Sequence, residues 1–501
     1  MINRRDEQLE FRQSLPVVVG NADYREHEAR LLRIDELLRL SGVEEAYIKK
    51  CLGHWITQGR KEAELAEIRF KEPSGKDVAR YEQMCRLALR CNIARQLTQK
   101  EYRKFSLRLA ESNLLQWFCR LDRMDQVRVP GKSTLARYDK LLPESQVREL
   151  IDQLNRAAVD EANQLEMESA LTLKVYLSDT TCVKANIHFP TDWVLLRDGV
   201  RTLMKAVKVI RKHGLKYRMP DPDSFLREIN RLSIEMSQSR RRQDSKKRRK
   251  AVLRNMKRLA KIVRNHATRY SCRLQERWEK ETDLREGNVR QITERIRGIV
   301  EQLPAAIRQA HERIIGDRKV ENKDKILSLY ESDIHVVVRN KADSEVEFGN
   351  TLFLAEQADG LIVDWKLEKS ISPGDIAFMK ESLIRMKSVF ERYPSAVGAD
   401  RGFSSQASHK WLKAEGITDA ICSRNPEMLR EQMKDPVFRK TQKRRAQTEG
   451  RIGILKNAFL GRPLLSKGFE HRELAVAWAI LAHNLRFLAA LPQKSELQKA
   501  A

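Results

Sequence analysis

The sequence predicts an α/β fold class: a domain built on a mixed sheet, preceded by an all-α N-terminal region and split by a long basic helical insertion. Three observations predict it. Residues 1–165 carry helical spacing and helix-stop signals throughout. Residues 171–180, Leu-Thr-Leu-Lys-Val-Tyr-Leu-Ser-Asp-Thr, alternate and are rich in β-formers, so they read as a strand. From residue 326 short apolar runs return and then alternate with helical segments, the order that produces a mixed sheet with covering helices.

Taken along the chain, Thr98 and Glu101 stand three apart before an amphipathic run and predict a capping box. That run carries Phe105, Leu109, Leu114, Leu115, Trp117 and Phe118. It breaks at Val129-Pro130-Gly131, and Ser133 is the predicted N-cap of a short helix, Thr134–Leu142, stopped by Pro143. Helix, tight break and short helix fit a helix-turn-helix whose second helix enters a DNA groove. An ordinary helical hairpin has the same pattern.

After the strand, residues 240–261 hold twelve Lys/Arg and one acid, Asp244. The apolar stripe Val252, Met256, Leu259, Val263 has helical spacing and predicts a helical pair or coiled-coil arm with a cationic face. Such a face, Arg248 and Arg249 included, suits phosphate backbone without reading sequence, although a solvated helix would look alike. Predicted strands follow at Ile326–Tyr330, Ile334–Val338, Val346–Ala355 and Leu361–Leu367, the last two joined by the hairpin signal Asp359-Gly360. A helix near 374–392, a strand at Ser395–Asp400, a helix near 405–415, a strand at Ile417–Cys422 and helices near 446–460 and 471–490 complete the series. The predicted organisation is a helical DNA-binding region (1–165), a catalytic domain in two parts (166–210 and 322–490), an insertion between them (211–321) and a tail (491–501).

Composition narrows the function. In 501 residues, 96 Lys+Arg against 69 Asp+Glu leave a net charge of +27, which points to a polyanion, nucleic acid first. The longest apolar run, Leu474–Ala482, is too short to span a bilayer, and no apolar signal core follows Met1, so no membrane partner and no secretion are expected. Seven cysteines without a CxxC pair read as reduced thiols in a cytoplasm, and the histidines lack zinc-site spacing.

Three acids stand out by context. Asp179 and Asp400 each close a predicted strand, where open α/β sheets place their ligands, and two such carboxylates suit a hard cation such as Mg²⁺. Glu449 is the third. At about 100° per residue, Gln442, Arg445, Glu449, Gly453 and Lys456 fall within an arc of about 80° on one helix face. An i,i+4 surface ion pair would explain Arg445 and Glu449, but not Lys456 or Gly453.

These residues resemble the DDE triad of bacterial insertion-sequence transposases, whose catalytic domain is RNase H-like. Arg445-(3)-Glu449-(6)-Lys456 resembles the Y-(2)-R-(3)-E-(6)-K signature of that family, with Gln442 where the tyrosine belongs. The segments Asp179–Asp192 and Ala399-Asp400-Arg401-Gly402-Phe403 resemble those around its two aspartates, Glu347-Phe348-Gly349 and Asn484-Leu485-Arg486 are also similar, and the ISNCY group is the most similar. Gln116–Phe118 through Ser133–Arg137 resembles its DNA-binding region, and the likeness covers roughly residues 100–490. The resemblance implies catalysis and metal binding by Asp179, Asp400 and Glu449, with two Mg²⁺ or Mn²⁺ ions. It implies DNA contacts from Arg445, Lys456, Gln442 and Arg401, and from Lys132, Ser133, Thr134 and Arg137 in the helix-turn-helix. The expected partners are transposon ends and target DNA, the expected assembly a homodimer or larger synaptic complex, and the expected location the bacterial cytoplasm, at the nucleoid. A helix-turn-helix DNA-binding protein that has lost its chemistry and a stand-alone RNase H-like nuclease are the competing readings.

Overall fold

The computed structural model describes residues 15, 18–121, 127–160, 162–239, 243–341 and 344–494. Met1, residues 122–126, Arg240–Arg242 and most of the predicted tail lie outside the described residues.

The N-terminal region is helical as expected: α1 (Ala22–Leu40), α2 (Val43–Leu65), α3 (Gly75–Thr98), α4 (Tyr102–Glu111), α5 (Asn113–Phe118), α6 (Lys132–Tyr138) and α7 (Glu144–Val159). The capping box lies elsewhere than predicted. Thr98 ends α3, where its hydroxyl donates back to the Ala94 carbonyl (2.8 Å), and Glu101 caps α4 without a side-chain bond. The reciprocal box is Ser74–Asp77 at the start of α3. Likewise α6 starts at Lys132 with Gly131 as its cap, so Ser133 lies inside the helix, which closes at Tyr138 rather than Leu142.

The sheet contains β1 (Val175–Lys184), β2 (His335–Lys341), β3 (Ser344–Gln357), β4 (Ile362–Leu367), β5 (Ala396–Ala399) and β6 (Thr418–Ile421). Its order is β2-β3-β1-β5-β6, with β4 also paired to β3. The β1–β3 and β3–β4 pairs are antiparallel, while β1–β5 and β5–β6 are parallel. The chain is therefore a mixed α/β protein, as predicted. The β3–β4 hairpin turns where Asp359-Gly360 predicts, with Gly360 at φ +107°, a conformation that favours glycine. The expected strand Ile326–Tyr330 does not form. Leu327 and Leu329 are buried in a loop there, and Glu331 is captured by the buried Arg472 guanidinium.

The insertion enters between β1 and β2, as expected, but it is larger than a helical pair. α8 (Asp192–Lys212), α9 (Pro222–Gln238), α10 (Ser245–Glu281) and α11 (Glu286–Ala310) enclose a hydrophobic core of their own. α10 has 37 residues, about 55 Å at 1.5 Å each. Its buried seam runs Val252, Leu253, Met256, Ala260, Val263, Ala267, Tyr270 and Leu274, a heptad-like 4,3 alternation from Met256 onward. Leu259 flanks that seam instead of joining it. Since α8 belongs to this core, the helical unit begins near residue 192, earlier than the predicted 211.

α12 (Asp375–Phe390), α13 (Gln406–Ala414), α14 (Pro426–Gln432), α15 (Pro436–Leu455) and α16 (Phe469–Leu488) complete the chain. The N-terminal helices are not a separate domain. One continuous core runs from Leu31 through Phe118 and Leu154 to Leu354, Trp365 and Trp478. Polar ties cross the same seam: Arg385 on α12 pairs with Asp152 on α7 (2.9 Å) and with Asp364 on β4 (2.7 Å). Among the described residues no helix is long and apolar enough to cross a membrane.

Candidate active site

β1 and β5 run parallel in the register Val175↔Ala396, Tyr176↔Val397, Leu177↔Gly398. Two residues beyond the last pair lie Asp179, within β1, and Asp400, one residue past the end of β5, and neighbouring strands stand about 4.8 Å apart. Asp179 does not end its strand, as the sequence suggests, but sits in its middle. β1 continues to Lys184 paired with β3 alone, whereas β5 stops at Ala399. Asp179 is thus level with the carboxyl end of β5, and the positional argument survives in that form.

Side-chain alternation places Leu177, Asp179 and Thr181 on one face and Tyr176 on the other, where its hydroxyl bonds Ser382 of α12 (2.8 Å). α15 covers the first face. A Cβ on Gly398 would stand 2.8 Å from Thr441 of α15 and 2.9 Å from Leu177, so glycine lets the helix lie close on the sheet. Gly398→Ala is expected to destabilise the protein by about 1–3 kcal/mol through overpacking. A denaturation midpoint equal to wild type would show that the helix shifts without cost.

α15 is anchored to the sheet ends by polar side chains. Gln442 donates to the Ala399 carbonyl (3.1 Å) and to that of Ala420, joining the ends of β5 and β6. Arg445 donates its Nε to the Gln442 side chain (3.0 Å). Thr448 donates to the buried Glu356 of β3 (2.7 Å), and Arg451 pairs with the same carboxylate (3.1 Å). At the end of the helix Lys456 turns inward, buried, and donates to Thr181 Oγ1 (3.1 Å) and the Cys182 carbonyl (2.7 Å). These bonds correct two expectations. Gln442 and Lys456 face the sheet and tie the helix to it, because its buried stripe is Thr441, Thr448, Ile452 and Leu455.

Glu449 stands exposed at the rim of that stripe. The i,i+4 ion pair with Arg445 is not formed among the described residues, since Arg445 is held by Gln442 instead. Burial pushes the Asp179 carboxyl up to about 6, and the negative charges of Asp400 and Glu449 push the same way. The Thr180 amide and the Arg445 guanidinium oppose that shift. The charges of Asp400, Glu449 and Arg445 are therefore all felt at Asp179. Asp400 is itself fixed, accepting the Gly402 amide (2.8 Å). As placed, no three acid, His or Cys side chains among the described residues are grouped tightly enough to enclose an ion. Asp179 and Asp400 are the two acids brought to this end of the β1–β5 pair, and Asp179 is the desolvated one.

The remaining candidates are placed as follows. Arg401 is exposed just beyond Asp400, and its backbone carbonyl accepts Arg424 Nε (2.9 Å). On α6, Lys132, Ser133 and Arg137 are exposed, while Thr134 is half-buried and accepts a bond from Arg137 (3.3 Å). On α10, Arg248 faces Glu235 (3.6 Å) and Lys246 faces Asp317 (3.5 Å), so part of the cationic face is neutralised within the unit. Arg249 is half-buried. Sequence reasoning missed Glu356 and Arg424. Glu356 lies inside a strand run with no periodicity to mark it, and Arg424 reaches the Asp400 turn only through the fold.

Compared with known protein families, curated proteins and solved structures, the chain matches none.

Proposed function

We propose that this chain is a DDE-type transposase with an RNase H-like catalytic domain, which binds the terminal inverted repeats of an insertion sequence, frees 3′-OH ends and joins them to target DNA. The observation that carries the reading is that Asp179 and Asp400 each lie two residues beyond the last pair of the adjacent parallel strands β1 and β5, with the charges of Arg445 and Glu449 from α15 bearing on Asp179. Asp179, Asp400 and Glu449 would hold two Mg²⁺ or Mn²⁺ ions, which when bound activate the attacking oxygen and stabilise the leaving oxygen of an in-line displacement.

The protein's own groups have distinct tasks. Gln442 fixes Arg445 beside the acids, where a guanidinium can hold a backbone phosphate through paired N–H donors. The Gly402 amide fixes Asp400, and the Glu356–Thr448 bond sets the rotation of α15 that leaves Glu449 on the rim. Lys132, Ser133, Thr134 and Arg137 of α6 form the candidate recognition surface, and synapsis of two ends calls for at least a dimer in a bacterial, nucleoid-associated setting.

The test mixes the protein with an end oligonucleotide bearing a 3′-OH, a target plasmid and Mg²⁺. A transposase joins the two. Cutting without joining would establish the nuclease, and binding alone would establish the regulator without chemistry.

A further inference from the structure

A cleft of about 980 Å³ lies between the N-terminal helices and the segment that follows α15. One wall is the α3–α4 junction together with α6, and the other is residues 459–467 leading into α16. Its floor is closed by Trp478, whose indole N–H donates to the Asp139 carbonyl (3.1 Å).

The charges on these walls are uneven. Lys100, Arg103, Lys132, Lys140, Arg462 and Lys467 line the cleft, are exposed, and have no carboxylate within ion-pair distance among the described residues. The two acids in the lining are already engaged: Asp139 with Arg95 (2.9 Å) and Glu101 with Lys104 (3.7 Å). Unpaired cations concentrated on two facing walls focus a positive field into the space between them.

Position gives the cleft a role. Leu464 donates its amide to the Lys184 carbonyl (3.0 Å) and bridges Ala185, so the second wall is fastened to the end of β1. Asp179 lies five residues back on the same strand, about 17 Å at 3.3–3.4 Å per residue. That is about five base steps of a DNA strand at 3.4 Å each. The first wall includes Lys132, the opening residue of α6.

We propose that this cleft seats the phosphodiester backbone of one DNA strand on its way from α6 to the Asp179 centre. The inference rests on the DNA-processing reading above and adds a defined path to it. A volume of about 980 Å³ is that of a cube about 10 Å on a side, whereas the two backbones of a duplex flank grooves about 12 Å and 6 Å wide, so a single backbone is what it admits.

The experiment measures binding of a 30-base-pair duplex against salt concentration for wild type and for the triple variant Arg103→Gln, Arg462→Gln, Lys467→Gln, all outside the α6 recognition surface. Each lost phosphate contact lowers the log–log salt slope by about 0.9, so the slope is expected to fall by about 2.7, with at least about tenfold weaker binding at 0.1 M salt. All three side chains are exposed, so the circular dichroism spectrum and the melting temperature stay at wild-type values. A photo-crosslinker at position 462 is expected to label DNA. An unchanged slope in a DNA-binding wild type overturns the cleft path alone. A wild type that binds no DNA overturns the path and the proposed function together. A reduced slope without strand joining by the wild type keeps the path and removes the transposase reading.

Discussion

Asp179→Asn is expected to lose all Mg²⁺-dependent DNA cleavage and joining, to keep its DNA binding, and to melt above wild type at pH 8. The stability gain follows from the sign of the Asp179 shift. Its carboxyl titrates near 6 in the fold against 3.8 ordinarily, so between those values the folded state holds a proton that the unfolded state has released. Stability from this group therefore falls as pH rises through that window, and the full penalty is present above about pH 6. A difference of about two units corresponds to at most about 3 kcal/mol, which the neutral amide recovers. Below pH 4 the advantage vanishes. At pH 8 and matched ionic strength, Mg²⁺ is expected to raise the wild-type melting temperature more than that of the variant, because an ion bound only by the folded state stabilises it by mass action. Melting curves from pH 4 to 8, with and without Mg²⁺, check this. A pH-independent difference, or equal Mg²⁺ responses, would overturn the desolvated-carboxylate account. A variant that still cleaves removes Asp179 from the site.

Arg472→Met is expected to cost about 3–5 kcal/mol and to lower the melting temperature at neutral pH. Arg472 is fully buried on α16, paired with Glu331 and donating to Asn350 of β3 (3.0 Å). Removing it strands the Glu331 carboxylate in the interior, which is the expensive half of breaking a buried pair. The double variant Arg472→Met/Glu331→Gln removes that charge and is expected to recover a large part of the loss. The Gly468 amide, which donates to Glu331 (2.9 Å), retains an acceptor in the glutamine oxygen. Urea denaturation of the three proteins decides the point. If the double variant is no more stable than the single one, the cost comes from lost packing and not from an uncompensated charge.

Both positions illustrate what could be read from the chain and what could not. The alternation at 171–180, the Asp359-Gly360 turn and the apolar run of α16 are local signals; the turn and the helix form where read, and the strand forms four residues later, at Val175–Lys184. Asp400 and Glu449 are legible because a strand end and a helix face are local signals, whereas the strand end read at Asp179 lies in mid-strand. Ile326–Tyr330 had the composition of a strand, yet its leucines are buried in a loop and Glu331 is claimed by Arg472, more than a hundred residues away. Propensity yielded there to long-range burial. The helical arc predicted over 442–456 does not present one face: Lys456 is buried against β1 and Glu449 is exposed. Gln442 and Lys456 are donors to carbonyls of β5, β6 and β1, and no spacing rule shows which side of a helix meets a sheet edge.

The sequence by itself determined most of the element types, the insertion between the first and second strands, the cationic balance and the three candidate acids. Each depends on residues near one another in the chain. Tertiary structure alone decided that the N-terminal helices share one core with the sheet, that the basic arm is one wall of a four-helix unit, and that Asp179 and Asp400 each lie two residues beyond the last pair of β1 and β5. The physical reason is the same in each case. Which apolar faces meet, and which buried cation finds which acid, depends on contacts between segments far apart in sequence, and those contacts set the register that brings the carboxylates together.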